Sequence, residues 1–299
     1  MRPVLSALPA IVADNVLYPE GLSSATLALM VDLHHHLLPG LDDGAPDLSA
    51  SIQMARLAVE DGITHVVCTP HASSRYSFDP VRIQQALEQL QAGLHDDGIR
   101  LVLGLGCDFH LSYDNIRDAL ENPHRYTVNH SEYILVELPD YGLPPTLEET
   151  FYSLRLAGMT PILTHPERNP SLQQDSSRLA AWIRDGLLTQ ITAGSVTGRM
   201  GRKAEGLAHR LLADRWVHFI ATDAHDTRSR PPRMRSACDV VAKRYGEAYA
   251  QRLCTENPQA VFDGRPLPAQ EDPQRLYDGY EEEEDENRPR GWLSRLMRR

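Results

Sequence analysis

The stretch VDLHHHLLPGLDDG, which begins at Val31, sets three histidines, followed by two aspartates, behind an apolar lead-in over residues 27–31. If that lead-in is a buried strand, alternate side chains share a face, so His34 and His36 point together and His35 points away. Two imidazoles two residues apart on one face can grip a cation. Further donors stand where other apolar runs turn polar: Asp43 in LDDG, His71 in TPH, Asp108 in GCDFH, Glu137 in VELP, His165 in THPERN, and Asp223 and His225 in TDAH. One histidine at a strand end is most often a satisfied structural residue. Nine nitrogen and oxygen donors drawn from six such ends describe a polynuclear metal centre. Imidazole and carboxylate without thiolate favour Mn, Fe, Zn or Mg, and several histidines argue against Mg alone. Clustered divalent cations acidify a shared water and clamp a phosphoryl group, which makes phosphate-ester hydrolysis the leading chemistry. Arg168 in THPERN and Arg230 in TDAHDTRSRPP lie close to the donors and are suited to grip phosphate oxygens. The alternative for each is a surface ion pair.

Those junctions belong to a repeating pattern of apolar run, polar junction and helical stretch. MVDLH precedes a helix over 48–61, capped by Asp47 and ended by Gly62. THVVCTP precedes 79–97, RLVLGLG precedes 112–121, YILVEL precedes 146–157, and TPILTH precedes 172–185. LLTQITA then precedes 201–213, and VHFIATD precedes 232–245. Seven strand-to-helix units predict a parallel sheet, and right-handed crossovers allow an open sheet or a barrel. In a barrel the C-terminal strand ends converge on one face, where active sites form.

The chain of 299 residues is 41% hydrophobic and 24% charged, the balance of a soluble globular enzyme. Its net charge of -11 argues against a nucleic-acid surface, although EEEEDE at 281–286 supplies six of those charges. No stretch approaches the roughly 20 apolar residues of a membrane span. Pro9, Asp14 and Asn15 interrupt the N-terminal region, which argues against a signal peptide and for a cytoplasmic location. Four cysteines without a CxxC pair suit reduced thiols better than disulfides or structural zinc. Residues 1–29 are expected to form a loosely ordered extension and 30–264 the catalytic body. Residues 265–299 are expected to form a disordered tail, acidic and then basic. Its last part sets Trp292, Leu293, Leu296 and Met297 on one side among arginines, a composition suited to an anionic membrane surface or a partner.

Together DLHHHLLPGLDDG, TPH, VELP, THPERN and TDAH…RPP resemble the PHP (polymerase and histidinol phosphatase) superfamily. The likeness, over about 30–262, is to its bacterial tyrosine-protein phosphatases of capsular and exopolysaccharide synthesis. It implies a distorted (β/α)7 barrel of the TIM-like PHP type with three metals, commonly Mn2+, with Fe or Zn as alternatives. It implies that His34, His36 and Asp223 hold one metal and that Asp108 bridges to a second held by Glu137 and His165. Asp43, His71 and His225 match a third site, and Arg168 and Arg230 match positions that bind the substrate phosphate. One departure is plain, since the bridging position is usually glutamate and here is the shorter Asp108. The implied activity is phosphotyrosine hydrolysis by a metal-bridging hydroxide, on a phosphoprotein such as a polysaccharide-export tyrosine kinase. Three rivals remain. One is a small phosphomonoester such as histidinol phosphate on the same scaffold. Another is a cysteine phosphatase read from C-x5-R between Cys238 and Arg244, although CDVVAKR lacks glycine and falls in a helical stretch. The last is a non-catalytic PHP domain, which would be expected to have lost donors.

Overall fold

Every residue of the first strand, β1 (Met30–His35), is buried, as a strand covered on both faces requires. In the computed structural model, which describes residues 29–139 and 142–277, eight further strands follow. They are β2 (Ile63–Cys68), β3 (His71–Ala72), β4 (Val102–Leu105), β5 (Asp108–His110), β6 (Tyr133–Glu137), β7 (Thr160–Thr164), β8 (Leu188–Thr192) and β9 (Phe219–Ala221). β3 continues the path of β2 beyond a break at Thr69-Pro70, and β5 continues β4 beyond Gly106-Cys107. Pro70 has no N–H to give to a ladder. The described residues thus form an α/β fold with two parallel sheets, ordered β1-β2-β4 and β3-β5-β6-β7-β8-β9. The outer members β1 and β9 also meet, because Asp223 N–H donates to His34 O and His36 N–H donates to Ala224 O, both at 2.9 Å.

The helices lie on the crossovers. α1 (Leu48–Asp61) starts where the Asp47 carboxylate accepts from Ala50 N–H, and it ends at Gly62, whose φ of 95° suits a residue without Cβ. α2 (Pro80–Asp96), α3 (Tyr113–Glu121) and α4 (Leu147–Leu156) follow. The single helix expected over 172–185 is two, α5 (Pro170–Gln174) and α6 (Ser177–Arg184). Asp175 between them is extended and its carboxylate accepts from Ser177 N–H, which competes with continued helix. α7 (Ala193–Val196) and α8 (Arg202–Ala213) precede β9. α9 (Arg235–Tyr245) starts later than the expected 232, because Pro231-Pro232 disfavours helix and Asp61 accepts from Met234 and Arg235 N–H.

α10 (Glu247–Gln251), a π-helical turn (Arg252–Glu256) and α11 (Asn257–Phe262) complete the body. Here the expectation of four reduced thiols fails. Cys238 of α9 is bonded to Cys254 of the π turn across a Cα separation of 6.4 Å. Packing of these two helical segments brings together cysteines that no local motif pairs. Cys68 and Cys107 are free and buried, and burial pushes both thiols up.

The boundary expected at 265 also moves. Trp216 Nε1–H donates to Gln274 O at 2.8 Å, and Asn257 and Gln270 exchange amide hydrogen bonds at 2.9 Å. Leu276 is buried in the main core. Residues 265–277 are therefore fastened to the body. The extension 1–28, the acidic run and the Trp292, Leu293, Leu296 and Met297 face lie outside the described residues. Among the described residues no helix is long and apolar enough to cross a membrane.

A smaller core of Val31, Leu33, Val67, Tyr133, Leu135, Ile162 and Phe219 fills the space between the strands. Along β6 the same face continues from Tyr133 and Leu135 to Glu137, and beyond β9 from Phe219 to Asp223. On β1, strict alternation from Val31 and Leu33 would turn His34 away from that face. The register of β1 against β2 carries an irregularity between Asp32 and His35. Such a bulge re-aims a side chain, and it puts His34 and His36 above the apolar core.

Candidate metal centre

The strand ends are held in unusual backbone conformations. His165, after β7, has φ 34°, and Asp223, after β9, has φ 51°. For residues with a Cβ such geometry costs on the order of 1–3 kcal/mol, so the surroundings must impose it. His165 N–H donates to Gln190 O at 2.8 Å, and Asp223 N–H is tied to β1 as described. The loop carrying Asp43 is pressed onto β1 through Gly44, where a Cβ would stand 2.3 Å from His36 O. Only glycine fits so close an approach.

All nine expected donors converge. Four overlapping groups have ligand atoms within 4.8 Å of one another. They are His36, Asp43, His71 and His225; His34, His36 and Asp108; His34, His165 and Asp223; and His71, Asp108 and Glu137. Asp108 belongs to two groups, with its Oδ2 3.4 Å from His34 Nε2 and 3.2 Å from His71 Nδ1. The shorter carboxylate therefore still reaches the middle of the cluster. The grouping departs from the one the family resemblance implies, because His36 joins the Asp43 group and His165 approaches His34 and Asp223.

The imidazoles are oriented from behind. His34 Nδ1 meets Gln190 Oε1 at 3.0 Å, His36 Nδ1 meets Asp42 Oδ2 at 2.7 Å, and His225 Nδ1 meets Asp223 O at 3.0 Å. Each contact holds Nδ1–H as donor and leaves Nε2 facing the centre, the usual arrangement of metal-binding histidines. Asp42 and Gln190 were not among the expected residues. Asp42 stands in the same LDDG as Asp43. Gln190 lies on LLTQITA, the one strand to which no donor had been assigned.

Two observations fit the site to cations. Both carboxylate oxygens of buried Asp108, and Nε2 of buried His225, lack a hydrogen-bond partner. The charges are also unbalanced. Burial, with Asp108 and Asp223 nearby, pushes Glu137 up to about 9. Burial works against ionised Asp108 and Asp223, yet His34 holds both well below the ordinary range. Burial also opposes a charged His36, but Asp42 and Asp223 raise it to about 10, whereas burial and Arg168 lower His165 to about 3. Cations among these groups would replace the protons and satisfy the carboxylates together. Arg168 and Arg230 both pair with Asp223 Oδ2 from the rim, each a little over one quarter exposed. His35 points away from the cluster, and burial lowers it to about 3.

Residues 30–263 match the model of the family described as capsular polysaccharide synthesis, CpsB/CapC. The chain belongs to the CpsB/CapC family. Tyrosine-protein phosphatase YwqE of Bacillus subtilis (strain 168) is 34% identical over 234 residues, 78% of this chain and 91% of its own length. Tyrosine-protein phosphatase CpsB of Streptococcus pneumoniae is 26% identical over 239 residues, 78% of this chain and 98% of its own. A crystal structure from the work on YwqE and CpsB, described there as unique metal-dependent tyrosine phosphatases, superposes with a TM-score of 0.77 at 32% identity. It covers 82% of this chain and 98% of that one. The lactonase Lmo2620 of Listeria monocytogenes shares the fold alone, with a TM-score of 0.53 at 10% identity over 81% of this chain and 96% of its own. The CpsB/CapC match thus spans every strand and all of the convergent donors.

Proposed function

We propose that this chain is a metal-dependent tyrosine-protein phosphatase of capsular or exopolysaccharide synthesis, built on a distorted (β/α)7 barrel. The paired hydrogen bonds between β1 and the end of β9 support the closed barrel. The observation that carries the chemistry is Asp108, a buried carboxylate that accepts no hydrogen bond and meets only the His34 and His71 imidazoles where two donor groups join. In this reading His34, His36, Asp43, His71, Asp108, Glu137, His165, Asp223 and His225 would hold three cations, with Mn2+ the best match to a mixed imidazole and carboxylate set. Bound cations supply an acidified water and neutralise charge on the phosphoryl oxygens.

The chain's own residues do the rest. Arg168 and Arg230 share one oxygen of Asp223 and are exposed enough to turn outward. A phosphoryl group arriving at the rim offers each a charged, bidentate partner. Tyr76 stacks over His71 at 5.7 Å between ring centroids and provides an aromatic wall beside the cluster. A cavity of about 390 Å³, lined by Asp43, Pro46, Met54, His225 and Thr227, opens next to it and can take the residues flanking a phosphotyrosine. A phenolate leaves with a pKa near 10, so the leaving oxygen needs less proton assistance than an alkoxide. The substrate is a tyrosine-phosphorylated protein, and a polysaccharide-export tyrosine kinase fits that chemistry. Since its phosphate comes from ATP, the reaction belongs in the cytoplasm. Cys238 and Cys254 lie outside the site, so neither sulfur takes part in the chemistry.

The test is an activity assay after chelation. Chelated protein should lose turnover of a phosphotyrosine peptide and regain it with Mn2+ better than with Mg2+. Full activity at near-zero metal content, or a preference by orders of magnitude for histidinol phosphate, overturns the reading.

A further inference from the structure

One wholly buried carboxylate beside the centre stands outside all four donor groups. It is Glu167, the middle residue of the short 3-10 turn (Pro166–Arg168) that follows β7. Its Oε1 accepts from Thr192 N–H at 2.9 Å and from the Ser195 hydroxyl at 2.7 Å. Thr192 ends β8 and Ser195 lies in α7, so this side chain ties the turn after β7 to the next strand end. Its Oε2 accepts no hydrogen bond, so the whole tie runs through one oxygen. The backbone is held as well, because Gln173 Nε2–H donates to Glu167 O at 2.8 Å.

The turn so fastened carries a functional group at each end. His165 precedes it at φ 34°, a geometry that the surroundings must impose, and its N–H has an anchor of its own on Gln190 O. Arg168 closes the turn with fewer ties. Its backbone N–H bonds inside the turn, to His165 O at 2.9 Å, and its guanidinium pairs with Asp223, the contact that an arriving phosphate would exchange. Once that pair opens, the direction from which Arg168 reaches outward depends on how the turn beneath it is held. We propose that Glu167 is a positioning residue that acts through Arg168, fixing the turn from which the guanidinium meets the substrate phosphate. The inference rests on the reading of Arg168 as a phosphate-binding residue. A shift of about 1 Å in such a group can cost on the order of a hundredfold in rate.

Titration of Mn2+-loaded full-length protein with inorganic phosphate, read by calorimetry, tests this without turnover. Arg168→Ala should weaken phosphate binding at least about tenfold, the loss of a charged hydrogen-bonded pair. Glu167→Ala should weaken it severalfold at unchanged Mn2+ content. The double variant should bind phosphate no more weakly than Arg168→Ala alone, since nothing is then left to position. Glu167→Gln keeps an oxygen for both donors and should recover most of the loss. Ser195→Ala removes one donor, and should show the same dependence on Arg168 at smaller size even if Glu167→Ala does not fold. With a phosphotyrosine peptide, Glu167→Ala should raise KM more than it lowers kcat. Wild-type phosphate affinity in Glu167→Ala or, where that variant does not fold, in Ser195→Ala overturns the proposal, and so does a double variant in which the two losses multiply. Arg168→Ala binding phosphate as tightly as the wild type overturns it too, because Glu167 would have nothing to act through. Loss of Mn2+ in Glu167→Ala would place its action on His165 and overturn the assignment to Arg168. Phosphate binding that depends on both residues, without hydrolysis of the peptide, would refute the tyrosine phosphatase reading and leave the role of Glu167 standing.

Discussion

Asp32 and Asp108 are both wholly buried near strand ends, yet the protein treats them in opposite ways. Asp32 accepts from Thr222 N–H at 2.9 Å and from the Thr222 hydroxyl, so both of its oxygens are occupied. Asn257, in the C-terminal helical layer, is likewise satisfied by His218 O and by both amide atoms of Gln270. Asp108 accepts a hydrogen bond at neither oxygen, and His225 makes none at Nε2. An unmet buried polar group costs about 1–3 kcal/mol. Where Asp32 and Asn257 are satisfied by protein groups, Asp108 keeps its oxygens for a ligand that the protein does not supply.

The sharpest way to break that comparison is to delete one carboxylate from each side of it. Asp108→Ala should lower bound metal and reduce turnover at saturating Mn2+ by more than about a hundredfold, beyond the usual cost of an outer partner. Asp32→Ala should instead lose about 1–3 kcal/mol of folding stability in the absence of metal, since Thr222 loses its acceptor. Calorimetric melts and metal analysis of the two variants decide it. Matching stability losses would erase the distinction.

A second experiment sharpens the boundary between the sets. Asp42 is satisfied by protein but faces the open cluster through His36. Asp42→Asn should weaken Mn2+ binding about 10–100-fold, because the imidazole loses the negative charge of the partner that orients it. An unchanged affinity would mean that His36 is positioned by packing alone.

The smallest effect belongs to the satisfied side. Half-buried His218 accepts from Thr189 N–H at 3.1 Å, and desolvation lowers it to about 4. Below pH 6.5 the unfolded chain protonates this imidazole while the folded one does not, so stability is lost as the pH falls from 6.5 towards 4. Between pH 7 and pH 5 the loss should be about 2 kcal/mol. His218→Asn keeps an acceptor near Nδ1 without a titrating ring, and should flatten that part of the curve in denaturant melts. An unchanged slope would assign the acid sensitivity elsewhere.

The same contrast explains what the sequence made legible. Each candidate donor stands at the end of an apolar run, and strand alternation is local, so the nine side chains that the fold brings together could be picked out from residue order alone. The pairing of His34 and His36 was read correctly, but the bulge that turns them inward was not, because register against β2 is a tertiary property. Asp42 and Gln190 escaped notice because their role depends on which ring nitrogen each imidazole presents. The Cys238–Cys254 bond and the fastening of 265–277 by Trp216 and Asn257 depend on contacts between distant segments. Asp175 broke a helix that apolar spacing predicted, because its side chain competes for the backbone.

His165 and Asp223 are held where glycine would rest more easily, and glycine there would bring nothing to the centre. Substitutions at these two places therefore pull in opposite directions. A search among variants for heat resistance alone would favour glycine at both and would drift away from catalysis. Engineering this chain for robustness thus needs a selection that scores turnover at every round, with both positions held fixed while stabilising changes are sought in the helices and the apolar core beneath.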